Sequence, residues 1–145
     1  MILLDSNLLV YAYASALPQH QAAREWLDSR LGGPARVGLP WASLTSFMRL
    51  AMNSRVFQKA VGAAEVWRQV EAWLDCPVVW VPEPGPDHRK VLGALLQNLG
   101  GGHKLVPDAH LAALAIEHGL TLCSADGDFA RFPGLRWENP LASGR

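Results

Sequence analysis

The sequence has no excess of charge of either sign, few cysteines and no long hydrophobic run. Its 13 Lys and Arg residues balance 13 Asp and Glu residues, so the formal net charge is zero. This balance excludes binding to nucleic acid through overall charge, and a nucleic-acid site would need a local group of basic side chains. No run approaches the roughly 18 apolar residues of a membrane-spanning helix, so we expect no membrane association.

The two cysteines, Cys76 and Cys123, both lie beside or within apolar runs. Two cysteines alone do not make a zinc site. We interpret both as buried free thiols in a reducing compartment, the cytoplasm, because free cysteine is often buried and disulfides are rare there. The N-terminus reaches an acid at residue 5 without a basic segment or a long apolar stretch, so we expect no signal peptide.

Half of the 145 residues are hydrophobic, which is enough for one core, and we predict a single domain over residues 1–145. Short apolar runs alternate with segments of helical periodicity. The predicted strands are 2–4, 37–39, 78–81, 120–123 and 135–137, and the predicted helices are 8–13, 18–31, 41–53, 62–74, 84–99 and 107–118. This order favours an α/β fold with a parallel sheet, in which pairs of helices interrupt a plain βαβ repeat.

Aspartates follow two of the predicted strands and open one helix. Asp5 ends the first strand, Asp126 and Asp128 follow residues 120–123, and Asp108 comes directly after Pro107. Because ligands of open α/β sheets bind outside the carboxyl ends of the strands, we expect these acids at one edge of the sheet. Two carboxylates about 4 Å apart repel by roughly 4 kcal/mol at an effective dielectric of about 20. A hard divalent cation, which prefers oxygen ligands, would offset that repulsion and stabilise charge on a phosphodiester.

Each aspartate also has an ordinary structural explanation. Asp5 fits a helix N-cap, Asp108 fits a favourable interaction with the helix dipole, and Asp126 and Asp128 fit Asx turns. The gathering of acids from three chain segments at one edge favours the metal site over these separate explanations.

Three segments resemble the motifs of PIN-domain ribonucleases: Leu3–Asn7, Pro107–Ala115 and Ser124–Phe129. The resemblance covers the whole chain and is strongest to the VapC-type toxins of bacterial toxin–antitoxin pairs. It implies a PIN-like three-layer α/β/α fold around a central, mainly parallel sheet of four to five strands. It also implies a toxin endoribonuclease that depends on Mg²⁺ or Mn²⁺, forms a homodimer, cleaves RNA and is neutralised by a VapB-type antitoxin.

The resemblance also implies roles for individual residues. The expected metal ligands are Asp5, Asp108 and Asp126. Asp128 would be a neighbouring acid of the same catalytic site. Ser6 or Asn7 would orient a water molecule or the Asp5 carboxylate, and Ser124 would support the site from the third motif.

The third predicted helix departs from the family pattern. PIN ribonucleases usually have a glutamate there, and alignment on Phe47 places Ser46 at that position. No acid lies anywhere in residues 41–53, so we expect a site that is one carboxylate short and binds metal weakly. Arg49 follows about one turn later, and the sequence leaves open whether it holds a phosphate, pairs with a site acid or is solvated. Further candidate phosphate contacts do not form a charge run: Arg55, Lys59, Arg68 and Lys104.

Other functions compete with the nuclease. The missing glutamate favours a catalytically weak PIN-like module that binds RNA or protein, although the four aspartates disfavour it. A phospho-receiver domain needs an aspartate after the middle strand, where Val81 instead leads to Pro82. An apolar stripe containing Trp67 and Trp73 indicates a dimer face or an antitoxin groove.

Overall fold

The computed structural model describes residues 1–57, 59, 61–100 and 102–142. Its strands are β1 (Ile2–Leu4), β2 (Val37–Gly38), β3 (Val79–Trp80), β4 (Thr121–Cys123) and β5 (Trp137–Glu138). They form one sheet in the order β3-β2-β1-β4-β5, and every neighbouring pair is parallel. The predicted α/β class with a parallel sheet is therefore confirmed, with five strands.

Pairs of helices connect the first four strands. The helices are α1 (Ser6–Tyr13), α2 (His20–Leu31), α3 (Trp41–Ala51), α4 (Ala63–Leu74), α5 (His88–Gln97) and α6 (Val106–His118). Short 3-10 helices span His103–Leu105 and Gly127–Arg131. The prediction that α5 begins near Pro84 is wrong, because the alternate prolines of residues 82–86 lack N–H groups and favour extended backbone.

The central strand β1 is buried on both faces, as expected for a parallel sheet covered by helices on both sides. Ile2 and Leu4 pack into a core with α1, α2, α3 and α4, whereas Leu3 packs into a core with α5 and α6. This alternation follows from the two-residue period of side chains along a strand. It establishes the predicted three-layer α/β/α architecture.

Strand register determines which loops meet at the carboxyl edge of the sheet. Leu4 pairs with Cys123, and Leu3 pairs with Gly38. The segments that follow β1, β2 and β4 therefore leave the sheet side by side. Gly38 also admits the segment that follows β3, since a Cβ at this position would lie 2.7 Å from Cγ of Pro82.

Both cysteines are free thiols, as predicted. Cys123 is buried, and desolvation raises the pKa of its thiol to about 12. Cys76 is only half-buried, so the prediction of full burial is wrong for this residue. Within the described ranges, no helix is long and apolar enough to span a bilayer.

Candidate active site

Asp5 is a buried carboxylate between β1 and α1. Its Oδ1 accepts a hydrogen bond of 2.8 Å from the backbone N–H of Ser6, and its Oδ2 accepts one of 2.7 Å from Ser124 Oγ. Burial is the main cause that raises the pKa of Asp5, and the charge of Asp126 acts in the same direction. The hydrogen bonds from Ser124 and Ser6 oppose this rise. Asp5 is thus a helix N-cap as well as the most deeply placed acid of the edge.

Ser124 joins the ends of β1 and β4 through a fully buried hydroxyl. While it donates to Asp5, its Oγ accepts hydrogen bonds of 3.0 Å from Asn7 Nδ2 and from the backbone N–H of Asp126. Asn7 Oδ1 in turn accepts a bond of 3.3 Å from the N–H of Ala125. Because each buried polar group here depends on a neighbour, Ser124 fixes the position of Asp5 relative to Asp126.

Asp126 and Asp128 lie at the start of the 3-10 helix that follows β4. Asp126 Oδ1 accepts a hydrogen bond of 2.9 Å from the backbone N–H of Asp128. The Asp128 carboxylate lies 3.4 Å from Nε of Arg131 in a largely exposed pair. Because its side chain is about half exposed, Asp128 is a peripheral member of the cluster.

Asp108 is half-buried in the first turn of α6 and completes the group of acids. Burial is the first cause that raises its pKa to about 6, followed by the charges of Asp5, Asp126 and Asp128. The structure therefore brings all four predicted aspartates into one electrostatic cluster. Among the ion pairs of the described residues, Arg131 reaches Asp128 alone of the four, so a cation bound among the other three would favour their full ionisation.

Helix α3 contributes a serine that the sequence analysis does not identify. Ser43 is buried, and its Oγ donates a hydrogen bond of 2.6 Å to the carbonyl of Leu4, directly before Asp5. Ser46 is half-buried and Arg49 is exposed, and neither side chain has a hydrogen-bonding partner among the described residues. Helical periodicity would have identified Ser43, which shares the buried face of α3 with Leu44. An approach of Ser46 to the acids stays a prediction.

The tryptophan stripe of α4 divides between the core and the surface. Trp73 is buried and meets the ring of Phe47 at a centroid distance of 4.8 Å. Trp67 is 41% exposed and stacks on Trp41 at the start of α3. Of these two residues, it is therefore Trp67 that is available to a partner or a ligand.

The donor chemistry of the acidic cluster fits a hard divalent cation, because every candidate ligand is a carboxylate oxygen. Across the described ranges, however, no three Asp, Glu, His or Cys side chains already converge as metal ligands. Both oxygens of Asp5 also accept hydrogen bonds within the protein. The arrangement is thus a group of like charges that a cation would stabilise. Within the described residues, its carboxylate oxygens do not converge on one point.

Comparison with known proteins relates the chain to one family over almost its full length. Residues 2–135 match the PIN domain family. Ribonuclease VapC37 of Mycobacterium tuberculosis is 39% identical over 142 residues, which cover 98% of this chain and 99% of that protein.

Two solved structures share the fold at lower sequence identity. The first is Mycobacterium tuberculosis VapC20, a toxin that cleaves the sarcin-ricin loop, with a TM-score of 0.68 and 18% identity over 94% of this chain and 99% of that one. The second is VapBC2 of Rickettsia felis bound to a promoter DNA fragment, with a TM-score of 0.68 and 18% identity over 96% of this chain and 98% of that one. At this identity, both likenesses concern the fold alone.

Proposed function

Because the chain belongs to the PIN-domain family and, within it, to the VapC ribonucleases, we propose that it is a toxin endoribonuclease that depends on Mg²⁺ or Mn²⁺. The observation that carries the proposal is the cluster of four aspartates at the carboxyl edge of the sheet. Three of them help to raise the pKa of the fourth, Asp108, to about 6. A site that gathers negative charge in this way suits a divalent cation, and the bound cation could in turn bind an RNA phosphodiester.

Asp5, Asp108 and Asp126 would hold the cation, with Asp128 at the rim. When bound, the cation supplies positive charge that offsets the charge developing on the phosphodiester during hydrolysis. The protein's own contribution is orientation. The N–H of Ser6 and the hydroxyl of Ser124 hold the two oxygens of Asp5, and Asn7 and the N–H of Asp126 hold Ser124.

A VapB-type antitoxin is the partner that we propose, by analogy with the VapBC2 complex of Rickettsia felis. The acidic cluster offers a complementary site for a basic side chain of such a partner, which would compete with metal and RNA. We also propose a homodimer that acts in the cytoplasm, where the free thiols Cys76 and Cys123 would persist.

A catalytically weak module that binds RNA or protein is the second candidate function. It is favoured by the lack of an acid in residues 41–53 and by the described ligand positions, which do not converge. Cleavage separates the two candidates, because this module would bind RNA without hydrolysing it.

The test uses purified, metal-depleted protein and single-stranded RNA, with Mn²⁺ or Mg²⁺ added back. We expect cleavage only with metal, and a loss of about a thousandfold in Asp108→Asn, since a metal ligand supports several kcal/mol of transition-state stabilisation. Asp75→Asn, at the exposed end of α4, is the matched control and should cleave normally. Undiminished cleavage in excess EDTA would reject metal dependence, and RNA binding without cleavage would favour the second candidate.

A further inference from the structure

A pocket of about 250 Å³ lies at the carboxyl ends of β2 and β3, between the start of α3, the loop after β3, and α6. Trp41, Glu83 and His110 are among its lining residues. Two helices, α3 and α6, each carry residues that line the pocket and residues at or next to the acidic cluster. Ala42 lines it while the next residue of α3, Ser43, contacts the carbonyl before Asp5.

Helix α6 separates the pocket from the aspartates. Asp108 and His110 are two positions apart in this helix, so they lie on nearly opposite sides of it. Because His110 lines the pocket, Asp108 lies on the side of α6 that faces away from the pocket. A helix is about 10 Å wide with its side chains, and a short extended RNA segment can span that distance. The pocket is therefore placed for a nucleotide near the cleaved bond, outside the acidic cluster itself.

The loop that forms the outer wall of the pocket is fixed in place. Glu117 of α6 accepts a hydrogen bond of 2.6 Å from the N–H of Gly85, and His118 donates one of 2.7 Å to the carbonyl of Glu83. On the inner side, Gly38 leaves room for the ring of Pro82 against β2. The wall is thus held from both α6 and β2, as expected of a preformed site.

The ring of His110 is also oriented by its neighbours. Its Nδ1 lies 3.2 Å from Nε2 of His88, whose Nδ1 contacts the Glu117 carboxylate. The two imidazoles meet edge to face at a centroid distance of 5.0 Å. This contact occupies one nitrogen of His110 and leaves Nε2 without a hydrogen bond among the described residues.

The composition of the pocket fits a nucleobase. Pro82 and Pro84 supply apolar walls, and Trp41, which is 42% exposed, supplies an aromatic surface. Glu83 and His110 add a few polar groups. Single-stranded RNA is recognised in this way, by stacking on aromatic rings and by hydrogen bonds to the edges of the bases. A volume of about 250 Å³ is below the usual range for drug-sized ligands, which favours a single base.

Side chains around the pocket extend the same chemistry. Trp67 stacks on Trp41 with ring centroids 6.3 Å apart and an interplanar angle of 11°, which supports the aromatic surface from behind. Arg89 and Lys90 are exposed in the first turn of α5, after the loop that forms the wall, and they line a separate surface hollow.

We propose that this pocket binds a nucleobase of the RNA substrate beside the cleaved phosphodiester, with Trp41 stacking on the base and Glu83 reading its edge. The inference rests on the proposed ribonuclease function and assigns the residues that select the substrate. Because a carboxylate only accepts hydrogen bonds, the preferred base is guanine, whose N1–H and N2–H donors lie on one edge.

The test measures binding separately from cleavage, in an Asp5→Asn background with Mn²⁺ present. The probes are two fluorescein-labelled RNA decamers, all-uridine and with one central guanine. We expect Trp41→Ala to weaken binding of the guanine decamer by about tenfold or more, and Trp41→Phe to retain most of it. Glu83→Gln should remove the preference for guanine with little effect on the all-uridine decamer. Met52→Ala is the matched control, since it removes a similarly exposed apolar side chain from the other end of α3.

The outcomes distinguish this inference from the proposed function. If the unaltered chain cleaves RNA while Trp41→Ala and Glu83→Gln keep affinity and base preference, the pocket assignment is wrong and the ribonuclease stands. If the unaltered chain neither cleaves nor binds RNA, both are wrong. If Trp41→Ala keeps its affinity for RNA but no longer binds a VapB-type antitoxin, the pocket binds the partner protein and the inference is wrong.

Discussion

The two halves of the carboxyl edge of the sheet differ in the residues that come directly after the strands. Ser124, which follows β4, donates a hydrogen bond to Asp5, which follows β1, and both side chains accept hydrogen bonds from backbone N–H groups. Pro40 and Pro82, which come shortly after β2 and β3, have no N–H to donate. The first half is therefore polar and negatively charged, whereas the second is apolar and aromatic.

This difference indicates a division of tasks along a single edge. The charged half is unfavourable without a counter-charge, because burial and then the charges of neighbouring acids raise the pKa of Asp5 and of Asp108. The apolar half is held by the packing of Pro82 against β2 and by hydrogen bonds of its loop with Glu117 and His118 of α6. The proposed cation-dependent cleavage and the proposed recognition of a base can therefore be perturbed independently.

Among substitutions that keep all four aspartates, the largest effect on the charged half is expected from Ser124→Ala. Loss of this buried hydroxyl removes the donor to Asp5 and the acceptor of two N–H groups. We expect a 10- to 100-fold loss of Mn²⁺ affinity and of cleavage, the usual cost of removing a group that orients metal ligands. The free energy of unfolding should also fall by about 1–3 kcal/mol, because buried polar groups lose their hydrogen-bonding partners.

Ser29→Ala is the control, because this serine is exposed on α2. Manganese titration, RNA cleavage and thermal unfolding would be compared for the two variants. Base preference should be unchanged in Ser124→Ala, since Ser124 does not line the pocket. Equal metal affinity in Ser124→Ala and the unaltered chain would show that Ser124 does not position the ligands.

Local periodicity explains how much of the fold the sequence predicts. Strand β1 is predicted with its observed bounds, since Ile2–Leu4 is an apolar run that ends at an acid. The end of α6 is also predicted, because Gly119 adopts the left-handed conformation, with φ at 68°, in which a helix commonly ends. Such features depend on residues close together in the chain.

Contacts between distant segments explain the arrangements that the sequence does not predict. The role of Ser124 depends on the pairing of Leu4 with Cys123, which are 119 positions apart. The pocket depends on the approach of Pro82 to Gly38 and on the anchoring of its loop by α6. Neither arrangement can be obtained from the spacing of residues along the chain.

A moderate effect is expected from adding an acid to α3. Ser46 is half-buried one turn after Ser43, which contacts the carbonyl of Leu4, so Ser46→Glu would add a carboxylate near the aspartates. We expect several-fold tighter Mn²⁺ binding in calorimetric titrations, because a carboxylate adds attraction for a hard cation. Thr45→Glu places the same charge on the exposed face of α3 and is the control. If both variants bind Mn²⁺ equally, residue 46 does not face the metal and the alignment on Phe47 is wrong.

The smallest effect is expected from Asp108→Asn on the stability of the metal-free protein. The pKa of Asp108 rises from an ordinary value of 3.8 to about 6 in the folded chain. Between these values the folded state binds a proton more tightly than the unfolded state, so the stability contributed by this group falls as pH rises through the window and stays low above pH 6. Asparagine does not ionise, so the variant escapes this loss.

Solvent screening of a half-exposed carboxylate limits the gain in stability to about 1 kcal/mol, or about 3 °C in Tm at pH 7.5, with little gain near pH 4. Thermal unfolding in EDTA at the two pH values would measure it, with Asp28→Asn on the exposed face of α2 as the control of equal charge. An equal gain in Tm at both pH values would show that it does not come from the ionisation of Asp108.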